Sequence, residues 1–255
     1  MKLSIILASF GVINKELRAK TIDLLADDIS KAFKNFEVRQ AFTSNFIRRK
    51  LNSQGLNILS IEEQINDLKS EGYEKIYILP SLLTPGEEFD NKIKIFASDE
   101  IIILPPLFTL NCDTEFDQKA FKVIIDCFKT NENEELILIG HGSPHRHNSV
   151  YENLQRLADD QNLKIHIGVI EPNDTPNFEN VLDRLKKFHT KKILLAPLLF
   201  NGGTHVNEDI AGENDSWKTK LIDQGFEVRI CFEGLGTYKN FRQLYVDRLK
   251  NFLQN

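Results

Sequence analysis

All six histidines lie in the second half of the chain: His141, His145, His147, His166, His189 and His205. Two of them share a setting. His141 ends the run Leu138-Ile139-Gly140 and precedes Gly142, and His205 follows Gly202-Gly203-Thr204 after the apolar run that ends at Pro197. Glu171 likewise follows Ile167-Gly168-Val169-Ile170. Glycines beside such residues let a ligand approach the backbone. Two imidazoles and a carboxylate suit a divalent metal of borderline character, such as cobalt, nickel, ferrous iron or zinc. A neutral imidazole can also take up a proton near neutral pH. There is no His-Glu-x-x-His, so these donors do not share one helix. On spacing alone, a metal site and ordinary loop residues both stay open. His145 and His147 are expected to be loop residues, and His166 a packing residue inside a strand. His189 is expected at a helix end, where the macrodipole favours a cation.

The elements that must carry these residues are legible as alternation. Strand-like runs are Leu3–Ser9, Glu37–Phe42, Lys75–Pro80, Glu100–Leu104, Glu135–Gly140, Lys164–Ile170, Lys191–Pro197 and Glu227–Cys231. Helical patterns fall at Asn14–Phe33, Ile61–Glu71, Asp117–Phe128, Ser149–Asp159, Phe178–Phe188, Ser216–Gln224 and Tyr238–Leu253. Strands alternating with helices predict an α/β fold with parallel sheets and right-handed crossovers. Ser216 is the expected cap before Trp217, Gly225 the expected stop after Gln224, and Asn177 a cap before Phe178.

The chain also repeats itself. Lys75–Glu88 aligns without a gap over Lys192–His205, matching lysine, isoleucine, proline, leucine and glycine and setting Glu88 opposite His205. Leu7-Ala8-Ser9-Phe10-Gly11 matches Leu138-Ile139-Gly140-His141-Gly142, setting Phe10 opposite His141. Two similar α/β lobes follow, 1–130 and 131–255, joined at the polar stretch Thr130–Glu134. In open parallel sheets ligands bind beyond the carboxyl ends of the strands. Two facing halves would make a cleft lined by Phe10, Glu88, His141 and His205. Glu87 and Glu88 also read as solvated carboxylates near Asp90; the repeat is what raises Glu88.

Composition narrows the class. The net charge is −5 and the 32 basic residues are dispersed, which argues against a nucleic-acid face. Cys112, Cys127 and Cys231 are odd in number and far apart, so free thiols are expected rather than disulfides or a zinc ribbon. The apolar start Leu3–Phe10 reads as a buried first strand, since it stops at Gly11 with no A-x-A cleavage site. No stretch is long enough for a membrane helix. A cytoplasmic protein without membrane partners is expected. There is no Walker motif, no G-x-S-x-G elbow, and Gly234-Leu235-Gly236 lacks the third glycine of a dinucleotide fingerprint.

Several blocks together resemble the sirohydrochlorin cobaltochelatases of the anaerobic cobalamin pathway, single-chain class II chelatases related in fold to ferrochelatase. They are Ser9-Phe10-Gly11, Ala41-Phe42-Thr43-Ser44 with Ile47-Arg48-Arg49-Lys50-Leu51, Pro85-Gly86-Glu87-Glu88-Phe89, Gly140-His141-Gly142 with Tyr151, and Ile167-Gly168-Val169-Ile170-Glu171. The most specific runs from Pro197-Leu198-Leu199 through His205-Val206-Asn207-Glu208-Asp209-Ile210-Ala211-Gly212 to Asp215-Ser216-Trp217-Lys218, with Gly234-Leu235-Gly236 closing the pattern. The resemblance implies a chelatase-like fold of two α/β lobes, with His141, His205 and Glu171 as metal ligands and Glu88 as a further acid. Ser9, Phe10 and Gly11 would line the tetrapyrrole cleft.

The implied reaction is ATP-independent insertion of Co2+ into sirohydrochlorin or a related tetrapyrrole, with Co2+ as substrate and no nucleotide. His141 is the expected proton acceptor, and Glu88 would assist metal delivery or proton exit. Arg48, Arg49, Lys50 and Arg146 are candidate partners for substrate carboxylates, with a solvated surface face equally open for the first three. Ni2+ or Fe2+ as the metal, a non-catalytic binding protein, and a homo-oligomer all stay open. The chain departs from the family pattern at Val12, at Pro172-Asn173-Asp174-Thr175-Pro176 after Glu171, and at Asn201-Gly202-Gly203-Thr204 before His205.

Overall fold

A continuous apolar strand needs cover on both faces, and Leu136-Ile137-Leu138-Ile139 is such a strand, with all four residues buried. It lies in β5 (Glu134–Gly140) of a computed structural model that describes residues 2–188 and 190–254. The expectation for His189 falls outside the described residues.

Among the described residues there are two four-stranded parallel sheets. The first has the order β2-β1-β3-β4, from β1 (Leu3–Ser9), β2 (Phe36–Phe42), β3 (Lys75–Pro80) and β4 (Ile101–Ile103). The second has the order β6-β5-β7-β8, adding β6 (Ile165–Val169), β7 (Lys192–Pro197) and β8 (Glu227–Ile230). The registers carry the repeat into three dimensions. Leu3 pairs with Lys75 and Ala8 with Pro80; Glu134 pairs with Lys192 and Ile139 with Pro197. Phe10 and His141 therefore leave equivalent strands at equivalent points.

Helices alternate with the strands, and their ends follow side-chain chemistry. Ser216 caps α9 (Trp217–Asp223) and reciprocates with Thr219, and Gly225 turns the chain at φ +84°. The predicted helix over Asn14–Phe33 is broken. It is α1 (Lys15–Lys20) and α2 (Ile22–Ala32), separated by Thr21 at φ −128°, ψ −87°. The Thr21 hydroxyl donates to the Leu17 carbonyl at 2.7 Å, the back-bonding that bends helices. Two short helices escaped the periodicity reading: α3 (Asn45–Asn52), capped by Ser44, and α5 (Glu87–Lys92). The remaining elements are α4 (Ile61–Ser70), α6 (Glu115–Cys127), α7 (Val150–Asp160), α8 (Phe178–Phe188) and α10 (Lys239–Gln254).

The chain divides into compact units differently from the expected cut at residue 130. One unit comprises residues 2–107 with 236–254, and the other is Phe108–Leu235. Packing decides this. The segment leading into α6 belongs to the second unit, where Asn153 Nδ2 donates to the Leu110 carbonyl (2.9 Å) and Arg156 to that of Asn111 (3.1 Å). In the first unit, α10 buries Phe241, Leu244, Tyr245 and Leu249. Its Tyr245 hydroxyl donates to the Ser81 carbonyl at 3.0 Å, and Arg242 pairs with Asp28 at 2.7 Å. Burial pushes the Tyr245 phenol up, so it stays protonated as a donor. The polar stretch Thr130–Glu134 is a connection inside the second unit, and Glu134 opens β5.

The three cysteines are free thiols, as expected. Burial pushes the Cys112 thiol up to about 12, too high for thiolate chemistry. No helix among the described residues is long and apolar enough to cross a membrane.

Candidate metal and substrate site

Three strand exits of the second sheet bring His141, Glu171 and His205 together. Beyond the last paired residues of β5 and β6, the backbones stay in step: Ile170 N–H donates to the Gly140 carbonyl (2.9 Å) and Glu171 N–H to that of His141 (3.0 Å). That places Glu171 beside His141, with Oε1 3.8 Å from His141 Nδ1. The close pairing depends on two glycines. A Cβ at Gly140 would lie 2.1 Å from the Tyr151 ring. Gly142 has φ +80°, and a Cβ there would lie 3.1 Å from Glu171 Cβ. Gly142→Ala is expected to cost roughly 1–2 kcal/mol from the left-handed backbone alone and to push Glu171 aside. A urea-unfolding midpoint below wild type, with weakened Co2+ binding, would check both effects.

His205 arrives from β7. It opens a short turn that continues as a π-helix, Val206–Ile210, an irregularity common at functional sites. Val206 and Ile210 are fully buried in the cluster around Trp217 and Leu221, anchoring the turn while His205 stays half exposed. The His141 and His205 rings meet edge to face, with centroids 4.8 Å apart.

The hydrogen bonds assign the ring nitrogens. His205 Nδ1 is 2.8 Å from Asp209 Oδ2, and His141 Nδ1 is 3.1 Å from the Gly142 carbonyl. A carboxylate or a carbonyl only accepts, so each Nδ1 must carry the proton. In the neutral ring that leaves the Nε2 lone pair for another partner, the way metal-binding histidines are usually set. As the side chains stand, no group of three His, Cys, Asp or Glu among the described residues is arranged to hold a metal ion, this trio included. The donor types fit a borderline divalent metal; closing them on one ion needs side-chain rotation, for which their partial exposure leaves room.

The first unit holds Ser9, Phe10, Gly11 and Glu88, with Arg48, Arg49 and Lys50; Arg146 lies in the second. Glu88 lies in the first turn of α5, where the Thr43 hydroxyl donates to Oε1 in a short contact and Lys92 Nζ reaches Oε2 at 2.8 Å. The same Lys92 sits 5.8 Å from the centre of the Phe10 ring, which is half exposed. Ser9 is buried and accepts from the Ser81 hydroxyl at 3.0 Å. Gly11 has φ +105°, and a Cβ there would strike the Phe42 ring at 2.7 Å. So Ser9 and Gly11 shape the exit, and Phe10 is the member with a face to offer. Among the arginines, Arg48 is already engaged, with Glu63 at 3.2 Å and Asn45 at 2.6 Å.

Sequence reasoning missed Thr43, Lys92 and Asp209 as neighbours of these groups. Lys92 and Asp209 follow Glu88 and His205 by four residues, the spacing that brings helix neighbours together. His147, expected as a plain loop residue, is hydrogen-bonded to Asp174 and close to Glu152. His166 is buried as expected, but paired with Glu135 at 2.6 Å.

The profile of the family described as cobalt chelatase (CbiK) matches residues 3–254. The chain is 24% identical over 263 aligned positions to a sirohydrochlorin cobaltochelatase of Salmonella typhimurium, covering 99% of this chain and 97% of that protein. It is 27% identical over 256 positions to the sirohydrochlorin cobaltochelatase CbiKC of Nitratidesulfovibrio vulgaris, covering 97% and 89%. Among solved structures, SirB from Bacillus subtilis with Fe3+ superposes with a TM-score of 0.65 at 18% identity, over 98% of this chain and 95% of that one. The sirohydrochlorin chelatase SirB from Bacillus subtilis subspecies spizizenii in complex with cobalt gives 0.64 at 15% identity, over 100% and 97%. At these identities the structures establish a shared fold. The profile match spans nearly every residue of both lobes, and on it the chain belongs to the cobalt chelatase (CbiK) family.

Proposed function

We propose that this chain inserts Co2+ into sirohydrochlorin, or a closely related tetrapyrrole, without a nucleotide, as a step of anaerobic cobalamin biosynthesis. The observation that carries the reading is the meeting of His141 and His205 edge to face, with Glu171 beside His141 and each histidine's Nδ1 already engaged.

Insertion exchanges two pyrrole protons for one divalent metal, while the metal sheds its water. His141 and His205 would present Nε2, and Glu171 an oxygen, to the incoming Co2+. Few and exchangeable ligands let the metal pass on to the ring. As metal–nitrogen bonds form, an imidazole freed from the metal takes one pyrrole proton, with His141 the proposed acceptor, and the second proton passes to solvent. Asp209 would hold the His205 ring in one tautomer and orientation. Glu88, with Thr43 and Lys92 on its oxygens, would assist metal delivery or carry a proton outward. Phe10 would press its exposed face on the macrocycle. The proposed partners are the tetrapyrrole and the metal, with no nucleic acid, and the proposed compartment is the cytoplasm.

The test is anaerobic turnover followed by visible absorbance, with Co2+ and sirohydrochlorin in excess over protein. Many turnovers per chain, well above the protein-free rate, are expected. Conversion no faster than without protein would replace catalysis by a binding role. Because SirB is known with both cobalt and Fe3+, competition of Co2+ against Ni2+ and Fe2+ belongs in the same assay. Preference for either rival would move the assignment to that metal.

A further inference from the structure

One buried side chain ties the loop carrying His141 to the loop carrying Glu171. Asp174 is 1% exposed. Its Oδ2 accepts from Ser143 N–H at 2.8 Å; its Oδ1 accepts from Thr175 N–H at 2.9 Å and from Asn148 N–H at 3.3 Å. His147 Nδ1 lies 2.7 Å from the same Oδ1. The Asp174 N–H donates to the Glu171 carbonyl at 3.2 Å, closing a turn on that residue. Beyond it, His147 Nε2 stands 3.3 Å from Glu152, which accepts from the Thr175 hydroxyl at 2.7 Å. The hydrogen bond that His147 makes to the Asp174 carboxylate raises its pKa, partly opposed by burial.

Burying a carboxylate costs several kcal/mol unless donors surround it. Here three donors, Ser143, His147 and Asn148, come from the segment after His141, and the carboxylate itself hangs three residues after Glu171. Backbone pairing between the two exits ends at Glu171, and the Asp174 carboxylate takes over from there.

We propose that Asp174 is a positioning residue that fixes the spacing of His141 and Glu171, so that both reach one divalent cation. This rests on the reading of His141, Glu171 and His205 as metal donors. Asp174 touches neither metal nor macrocycle; it acts through the two loops. Asparagine cannot replace it. One of its two terminal atoms would be an NH2 group facing either Ser143 N–H or the cluster of donors around Oδ1, and the clamp would open on that side.

The experiment is titration of the purified chain with Co2+ alone, read by its visible d–d absorption, alongside urea unfolding. Asp174→Ala, Asp174→Asn and His141→Ala are compared with wild type. Asp174→Ala is expected to raise the Co2+ dissociation constant by roughly 10–100-fold, the range for loss of an outer partner of a metal site, with a shifted absorption band. A folded Asp174→Ala with lower urea resistance but wild-type Co2+ affinity and spectrum would make Asp174 a structural staple and overturn the proposal. Should the alanine variant fail to fold, Asp174→Asn decides in the same way. If His141→Ala also binds Co2+ like wild type, the metal-site reading fails and takes the proposal with it. If His141→Ala loses the metal and neither Asp174 variant does, only the positioning role fails.

Discussion

His205→Ala is expected to lower Co2+ insertion turnover by more than roughly 100-fold, beyond the range for losing only an outer partner of a metal site, while the protein keeps its fold. The two halves of this expectation have separate causes. The fold survives because His205 is half exposed and contributes little packing; the turn it opens is held by Val206 and Ile210, both fully buried. Activity falls because the site loses a proposed metal donor and its edge-to-face partner on His141 at one stroke. Asp209→Asn should be milder, at roughly 10–100-fold, since it disturbs the tautomer and orientation of the ring and leaves the donor atom. Turnover and urea midpoints of both variants check this. A folded His205→Ala with wild-type turnover would remove His205 from the site. Equal losses in the two variants would mean that the histidine works only when oriented by its carboxylate.

The largest effect on stability is expected at the far end of β5, the strand that delivers His141. Glu135 and His166 are 2% and 1% exposed by side chain and lie 2.6 Å apart, on adjacent strands β5 and β6. Among the described residues, Glu135 Oε1 and His166 Nδ1 have no hydrogen-bond partner. The pair is therefore dependent on itself. Glu135→Ala strands an imidazole in an apolar interior and is expected to cost about 3–5 kcal/mol, as for a broken buried pair. Replacing both, as Glu135→Leu with His166→Phe, should recover most of that loss, because the desolvation of two polar groups disappears with their attraction. Equilibrium urea unfolding of the single and double variants gives the comparison. A single variant within about 1 kcal/mol of wild type, below even the cost of an unsatisfied buried group, would mean that water reaches His166. Co2+ binding should be little affected in either folded variant, since Glu135 lies near the start of the strand whose other end delivers His141.

Much of this was legible from residue order. Apolar runs ending at glycine located the strands, because a strand covered on both faces has no polar residue to interrupt it. The repeat located equivalent exits, and the sheet registers agree with it pair for pair. The trio at the second sheet's strand ends followed from residue type and position. What escaped notice depends on side-chain reach. Nothing in Pro172–Pro176 announces that Asp174 turns inward to collect donors from a loop some 30 residues earlier, since Asp in such a stretch is ordinarily a solvated turn residue. The boundary near residue 130 failed for a related reason. Polar composition marks where a chain is exposed, whereas membership of a unit is set by where apolar faces are buried, and α10 buries its own against the start of the chain.

That last arrangement has a consequence for how the protein is made. A chain emerging from the ribosome usually completes its N-terminal part first. Here the N-terminal unit cannot close when residue 107 appears, because its final helix is encoded after residue 235. The contiguous unit, Phe108–Leu235, has all its parts first. Until α10 arrives, the groove that Tyr245 and Phe241 will fill stays open, and residues 2–107, made before the rest, are the last to be sealed.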